Sequence, residues 1–434
     1  MDKMADVLGR AGAWCGQNKY LSAIKNAFQN FMPLTIAGAI GVLWCNVLVN
    51  DQTGLGLFFK PIMALDFLNP AFQAVNFCTI SCITVGITLG IAQEIGVWNM
   101  GAERAGYIPG LVGLAAWLSV TNTSHMVDGA KEAFTGIAGN ELGATGLFTG
   151  MIIGVLSVEL FCFFEKQDAL KIKMPEQVPP GVARALEVLV PATITLIITA
   201  CIGSACYNLT GLYLNDVIKN GIQGPLGAVG ATIPGVMIIY LVIMLFWLVG
   251  IHGNNMLSAV KEALFTPLAL ENVEAFNKGE TPKNIINMYA LQMWGEFGGS
   301  GVTIGLVIAI MIFGKREDNK AIATLSLVPG LFNINETVTF GIPMVLNPIL
   351  GIPFVVAPLV TIIIGYVLTV IGFCPVACLT VPWTTPPIVF GFLACGANVM
   401  GAVTQAILIV VSTVIYVPFL ISYEKYQNKQ AAEA

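Results

Sequence analysis

Charge is what this sequence most conspicuously lacks. Charged side chains make up 10% of its 434 residues, against roughly 25% in a soluble domain. From Thr337 through Tyr423 there is no Asp, Glu, Lys, Arg or His, and between Lys219 and Lys261 only His252 interrupts the silence. A domain in water needs polar surface along every element, so these stretches exclude one. Basic residues are scarce as well: 20 Lys and Arg against 25 Asp and Glu leave no basic face for nucleic acid. The short alternating strands of an outer-membrane barrel are missing. Met1 to Tyr20 is polar and mixed in charge, unlike a cleavable signal peptide. No P-loop, dinucleotide fingerprint or acid–histidine metal motif occurs, so no cofactor and no metal are expected. Cys78 and Cys82 share a helix face but have no His or carboxylate beside them, which favours buried small apolar residues over a metal site.

What is present is apolar. Hydrophobic residues reach 56% and the mean hydropathy is +0.80. The chain therefore reads as an all-α polytopic membrane protein. A crossing needs roughly 20 apolar residues, which predicts spans near 28–49, 70–92, 106–121, 144–164, 186–208, 231–250, 298–314, 353–373 and 401–422. Basic residues cluster at Lys3, Arg10, Lys19 and Lys25, then at Lys166, Lys171, Lys173 and Arg184. They recur at Lys315, Arg316 and Lys320, and at Lys425 and Lys429. If all four clusters are cytoplasmic, an even number of crossings must separate the second from the third. A further crossing within 251–297 supplies it, giving about ten transmembrane helices in the cytoplasmic (inner) membrane, with both termini in the cytoplasm. The predicted division is a cytoplasmic segment 1–27, a first half 28–208, a second half 209–423 and a tail 424–434, with Pro180–Glu187 near the join.

Two stretches fit no plain span. Residues 321–350 are broken by Pro329, Gly330, Gly341, Pro343 and Pro348, and residues 374–398 by Pro375, Pro382, Pro386 and Pro387. Irregular backbone at membrane depth is tolerated only inside protein or against a wet cavity, and broken segments point to a transporter's substrate site. Both are predicted to be re-entrant hairpins; kinked ordinary spans are the alternative.

Glu336 lies inside the first of these, in Asn333-Ile334-Asn335-Glu336. An ionisable side chain there is costly and by default functional, the alternative being a carboxylate that bonds the broken backbone. Asn333 and Asn335 bring amides able to read hydroxyls. His252, between glycines and followed by Asn254 and Asn255, is the second candidate; a helix–helix hydrogen-bond partner is the plainer reading. Trp383, in Pro382-Trp383-Thr384-Thr385-Pro386-Pro387, offers a flat face to a sugar ring while Thr384 supplies a hydroxyl, although tryptophan also serves as an interface anchor. Gly298-Gly299-Ser300-Gly301 allows close packing or approach of backbone to a ligand. His125, near Asp128 in a predicted external loop, is expected to be a solvated residue.

These residues carry a resemblance. Leu331-Phe332-Asn333-Ile334-Asn335-Glu336, continuing to Phe340-Gly341-Ile342-Pro343 and Leu346-Asn347-Pro348, resembles the signature of bacterial phosphotransferase-system (PTS) sugar permeases. Within that group it is similar to EIIC, the membrane component of the lactose/cellobiose/N,N'-diacetylchitobiose family. Gly250-Ile251-His252-Gly253, Gly298-Gly299-Ser300-Gly301, Pro382 to Pro387, and Ala23-Ile24-Lys25-Asn26 with Met32-Pro33-Leu34 also fit. The resemblance implies a homodimer held by the first five spans and an elevator-type transport domain in the second half. It implies a disaccharide taken from outside and phosphorylated on its sixth-position hydroxyl by a cytoplasmic EIIB bearing a phosphocysteine. EIIB and EIIA are expected as separate chains, so the permease is a subunit of a phosphotransferase complex and not catalytic alone. Glu336 and His252 would hold the hydroxyl, with Asn254, Gly299, Ser300, Asn333, Asn335, Trp383 and Thr384 around the sugar. An ion-coupled sugar symporter, with Glu336 as the ion or proton site, is the competing class.

Overall fold

The computed structural model describes residues 14, 17–51, 55–57, 59–125, 134–175, 177–225, 230–342, 344 and 347–433. Lys3, Arg10, Asp128, Pro343 and Leu346, used above, lie outside them. Most of what is described is helix. The one ladder among the described residues pairs Ser124 with Thr135 and His125 with Phe134.

A backbone deprived of water must pair its own N–H and C=O groups, and the apolar runs accordingly become helices. Five stretches are long and apolar enough to cross a membrane: Lys19–Leu48, Ala144–Glu165, Pro180–Thr210, Gly351–Val370 and Val399–Gln430. Lys60–Ser81 and Ile83–Met100, bent by 42°, make a sixth if counted together. Ile108–Val120, Ile233–Leu248 and Ile304–Phe313 are apolar but shorter. Each predicted span thus meets a helix, while length and composition mark fewer crossings than the predicted ten. Residues 251–297 hold a helix at Gly253–Asn277, too polar to count by composition. The span predicted over 298–314 starts only at Ile304, because Gly298, Gly299 and Gly301 have positive φ and form a loop instead.

The described chain forms two compact units, and the boundary is not a single cut. One comprises 17–38 and 74–227, the other 39–73 and 228–434. Residues 39–73, predicted within the first half, belong with the second: Asn46 Nδ2 donates to Asn277 Oδ1 at 3.1 Å.

In the first unit, Ala116, Trp117, Val120 and Ile153 form a core. Small residues let its helices approach: a Cβ on Gly113 would stand 2.3 Å from that of Ala92. At the end of Ala144–Glu165, the Glu165 carboxylate takes Arg104 at 2.8 Å and Arg184 at 3.0 Å. His125 is not the solvated residue expected. It is half-buried, with its ring 5.6 Å from Phe134, because the ladder folds it against that side chain.

In the second unit, side-chain amides satisfy the backbone that the prolines free. Asn272 and Asn287 both donate to the Ala377 carbonyl, at 3.0 and 3.1 Å. Tyr289 and Thr380 share a 2.6 Å hydroxyl contact. Gln405 Oε1 accepts the Ile388 and Gly391 N–H groups at 2.7 and 2.8 Å. In the other broken stretch, the Glu317–Leu331 helix gives way to a turn with Asn333 at φ 62° before the short Glu336–Gly341 helix.

Candidate functional site

His252 sits at the N-cap of the Gly253–Asn277 helix, where its Nδ1 accepts the Asn255 N–H at 3.2 Å. With Nδ1 taken up as an acceptor, Nε2 is the ring nitrogen that can donate to a ligand. Trp247 packs against the ring with centroids 4.4 Å apart and limits its rotation. Nε2 stands 3.9 Å from Glu336 Oε1, and both side chains remain partly exposed, 38% and 48%. Glu336 opens its short helix directly after the turn. That separation is too long for a direct hydrogen bond but suits one oxygen about 2.8 Å from each atom. Such a hydroxyl would accept from Nε2–H and donate to the carboxylate.

The loop Gly298–Gly301 carries the scaffolding between them. Asn254 Nδ2 donates to Ser300 Oγ at 2.9 Å, and Asn335 Nδ2 donates to the Ser300 carbonyl at 2.7 Å. Gly299 has φ +87°, and a Cβ there would lie 2.6 Å from Asn335 Cγ, so only glycine lets the loop and the asparagine meet. Asn333 closes the far side. Its Oδ1 accepts the Gly298 N–H at 2.6 Å, while its Nδ2 donates to the carbonyls of Trp383 and of Thr385, the latter at 3.2 Å. Trp383 is 44% exposed, and Thr384 beside it is half-buried. The nine predicted site residues therefore share one unit, and hydrogen bonds or close contacts link all but Thr384.

Residues 25–358 match the family described as "Phosphotransferase system, EIIC". The chain belongs to this family. It is 32% identical over 429 residues to the PTS system oligo-beta-mannoside-specific EIIC component of Bacillus subtilis (strain 168), covering 98% of this chain and 94% of that one. It is 30% identical over 486 residues to the PTS system cellobiose-specific EIIC component of Lactococcus lactis subsp. lactis (strain IL1403), covering 98% of each. Among solved structures it is similar to the transporter ChbC, the IIC component from the N,N'-diacetylchitobiose-specific phosphotransferase system. There the TM-score is 0.88 at 29% identity, with 97% of each chain covered. This EIIC is accordingly a multi-pass membrane protein and a sugar permease of the PTS.

Within this EIIC both asparagines of the broken stretch bond backbone. The Asn333 amide bonds backbone at both ends, and Asn335 Nδ2 donates to the glycine loop. Sequence reasoning also passed over three residues behind Asn254. Lys261 donates to Asn254 Oδ1 at 3.3 Å and is paired with Glu296, which Tyr240 bonds at 2.7 Å. A signal existed: Lys261 lies two helical turns beyond Asn254, on the same face.

Proposed function

We propose that this EIIC binds a β-linked disaccharide of the cellobiose or chitobiose type from outside. It would then present the sixth-position hydroxyl to a phosphorylated EIIB in the cytoplasm. The observation that carries this reading is the 3.9 Å spacing of His252 Nε2 and Glu336 Oε1, with an exposed tryptophan, Trp383, in the stretch whose backbone Asn333 bonds. Phosphoryl transfer asks little covalent chemistry of the acceptor's host; it asks for alignment and for a place to put a proton. In this reading Nε2–H orients the hydroxyl oxygen, and the Glu336 carboxylate accepts its proton as the phosphoryl group arrives. Trp383 covers the apolar face of a sugar ring. Relatives named for cellobiose and oligo-β-mannosides, and a similar structure named for N,N'-diacetylchitobiose, support the β-linked class.

The same reading has the chain as a homodimer with cytoplasmic termini, working with EIIB and EIIA as separate chains. The unit carrying the site moves as an elevator, and the two broken stretches are its re-entrant hairpins. Uptake of radiolabelled cellobiose or chitobiose into membrane vesicles tests the proposal, with and without phosphoenolpyruvate and the soluble carriers. Phosphorylated sugar inside, appearing only with phosphoenolpyruvate, is expected. Unmodified sugar accumulating with an ion gradient would make the protein a symporter instead.

A further inference from the structure

Beneath the site lies a charged pair that the sugar reading leaves without a task. Lys261 and Glu296 form an ion pair with side chains 7% and 17% exposed. Buried charges are tolerated only where their remaining donors and acceptors are used. Fully buried Tyr240 donates its hydroxyl to Glu296 Oε1 at 2.7 Å. Lys261 donates a further hydrogen bond to Asn254 Oδ1 at 3.3 Å. An ammonium only donates, so this bond decides which end of the Asn254 amide faces it. The NH2 end is thereby turned to Ser300 Oγ at 2.9 Å. Ser300 is gripped from the other side by Asn335 through its carbonyl. His252 lies two residues before Asn254, and Glu336 directly follows Asn335. Both halves of the candidate pair are pinned to one serine.

We infer that Lys261, held by Glu296 and Tyr240, is a positioning residue for the sugar site. It orients the Asn254 amide and, through Ser300, keeps His252 and Glu336 at bridging distance without touching sugar itself. The inference rests on the sugar reading of the site given above. Its chemistry is narrow: position 261 must supply a hydrogen-bond donor to Asn254, and its charge serves only the pairing with Glu296.

Two double variants separate donor from charge. K261Q/E296Q is neutral but keeps an amide donor at 261, whereas K261M/E296Q is neutral and has none. Calorimetric titration of detergent-purified full chain with cellobiose and chitobiose should show at least a tenfold affinity loss for K261M/E296Q. K261Q/E296Q should stay within about threefold of wild type. Equal affinity in the two, whether high or low, overturns the inference. Should either double variant fail to fold, Ser300→Ala leaves the ion pair intact and removes the acceptor of Asn254. A tenfold loss is expected there, and wild-type affinity refutes the route through Ser300. Amide hydrogen exchange on ligand-free protein gives a reading independent of sugar. Exchange over 298–302 and 253–256 should accelerate in K261M/E296Q and Ser300→Ala but not in K261Q/E296Q, and unchanged exchange throughout counts against the anchor. A wild type that binds neither sugar refutes the sugar reading and leaves exchange to judge the anchor.

Discussion

Asn254, in the first turn of the Gly253–Asn277 helix, and Asn335, just before the Glu336–Gly341 helix, close on the same residue: one donates to the Ser300 hydroxyl, the other to its carbonyl. The neighbouring His252 and Glu336 are thereby kept 3.9 Å apart. In the proposed reading that distance takes one sugar oxygen, and several expectations follow from it.

Glu336→Gln keeps the shape of the carboxylate but cannot accept a proton. Sugar affinity should fall severalfold, while EIIB-dependent phosphorylation falls by two orders of magnitude or more. Titration calorimetry and single-turnover phosphorylation measure the two separately. Equal losses would leave Glu336 a positioning role only.

Trp383→Phe should retain part of the affinity and Trp383→Ala lose most of it, since an aromatic contact is worth about 1 kcal/mol beyond area burial. A well-folded alanine variant with normal affinity would remove the 374–398 stretch from the pocket wall.

Gly299→Ala adds a methyl 2.6 Å from Asn335 Cγ at a φ of +87°. The backbone conformation alone costs about 1–2 kcal/mol for an L-residue, and Asn335 has to leave Ser300. Sugar affinity should drop more than tenfold while the chain stays folded in detergent. Normal binding would mean that Asn335 does not brace the site.

Orientation is open to labelling. Single cysteines at Asp168 and Asp318, in a background cleared of native cysteines, should react with impermeant maleimide only from the cytoplasmic side, because both flank basic clusters. Reaction at 318 from outside would overturn the even count of crossings between the two.

The same loop allows a test against pH. The Arg316 guanidinium beside Asp318 holds its carboxyl below the usual carboxylate range. The stability this lends is complete above the unfolded value of about 3.9, and it fades only as pH falls through the lower folded value. Thermal scans from pH 5 to 8 should therefore show a constant offset between wild type and Asp318→Asn. An offset that shrinks as pH falls within that range would contradict the pairing.

Much of this protein was legible in its sequence. Long stretches without charge can only be helices in a bilayer, because lipid offers the backbone no partner. The proline breaks in 321–350 and 374–398 marked where helices stop, and Glu336 announced itself by the cost of a carboxylate in such surroundings. Tertiary structure alone decided the partners. Nothing local says that Asn333 spends its amide on Gly298 and on the carbonyls near Trp383, or that Asn254 and Asn335 meet at Ser300. Lys261 and Glu296 read in sequence as ordinary charges of a polar stretch, and became a buried pair only when their segments met. Hydropathy is a property of each segment and survives without the fold. Hydrogen-bond pairing between distant segments exists only once they are packed, so the site's scaffolding could be read only from the folded chain.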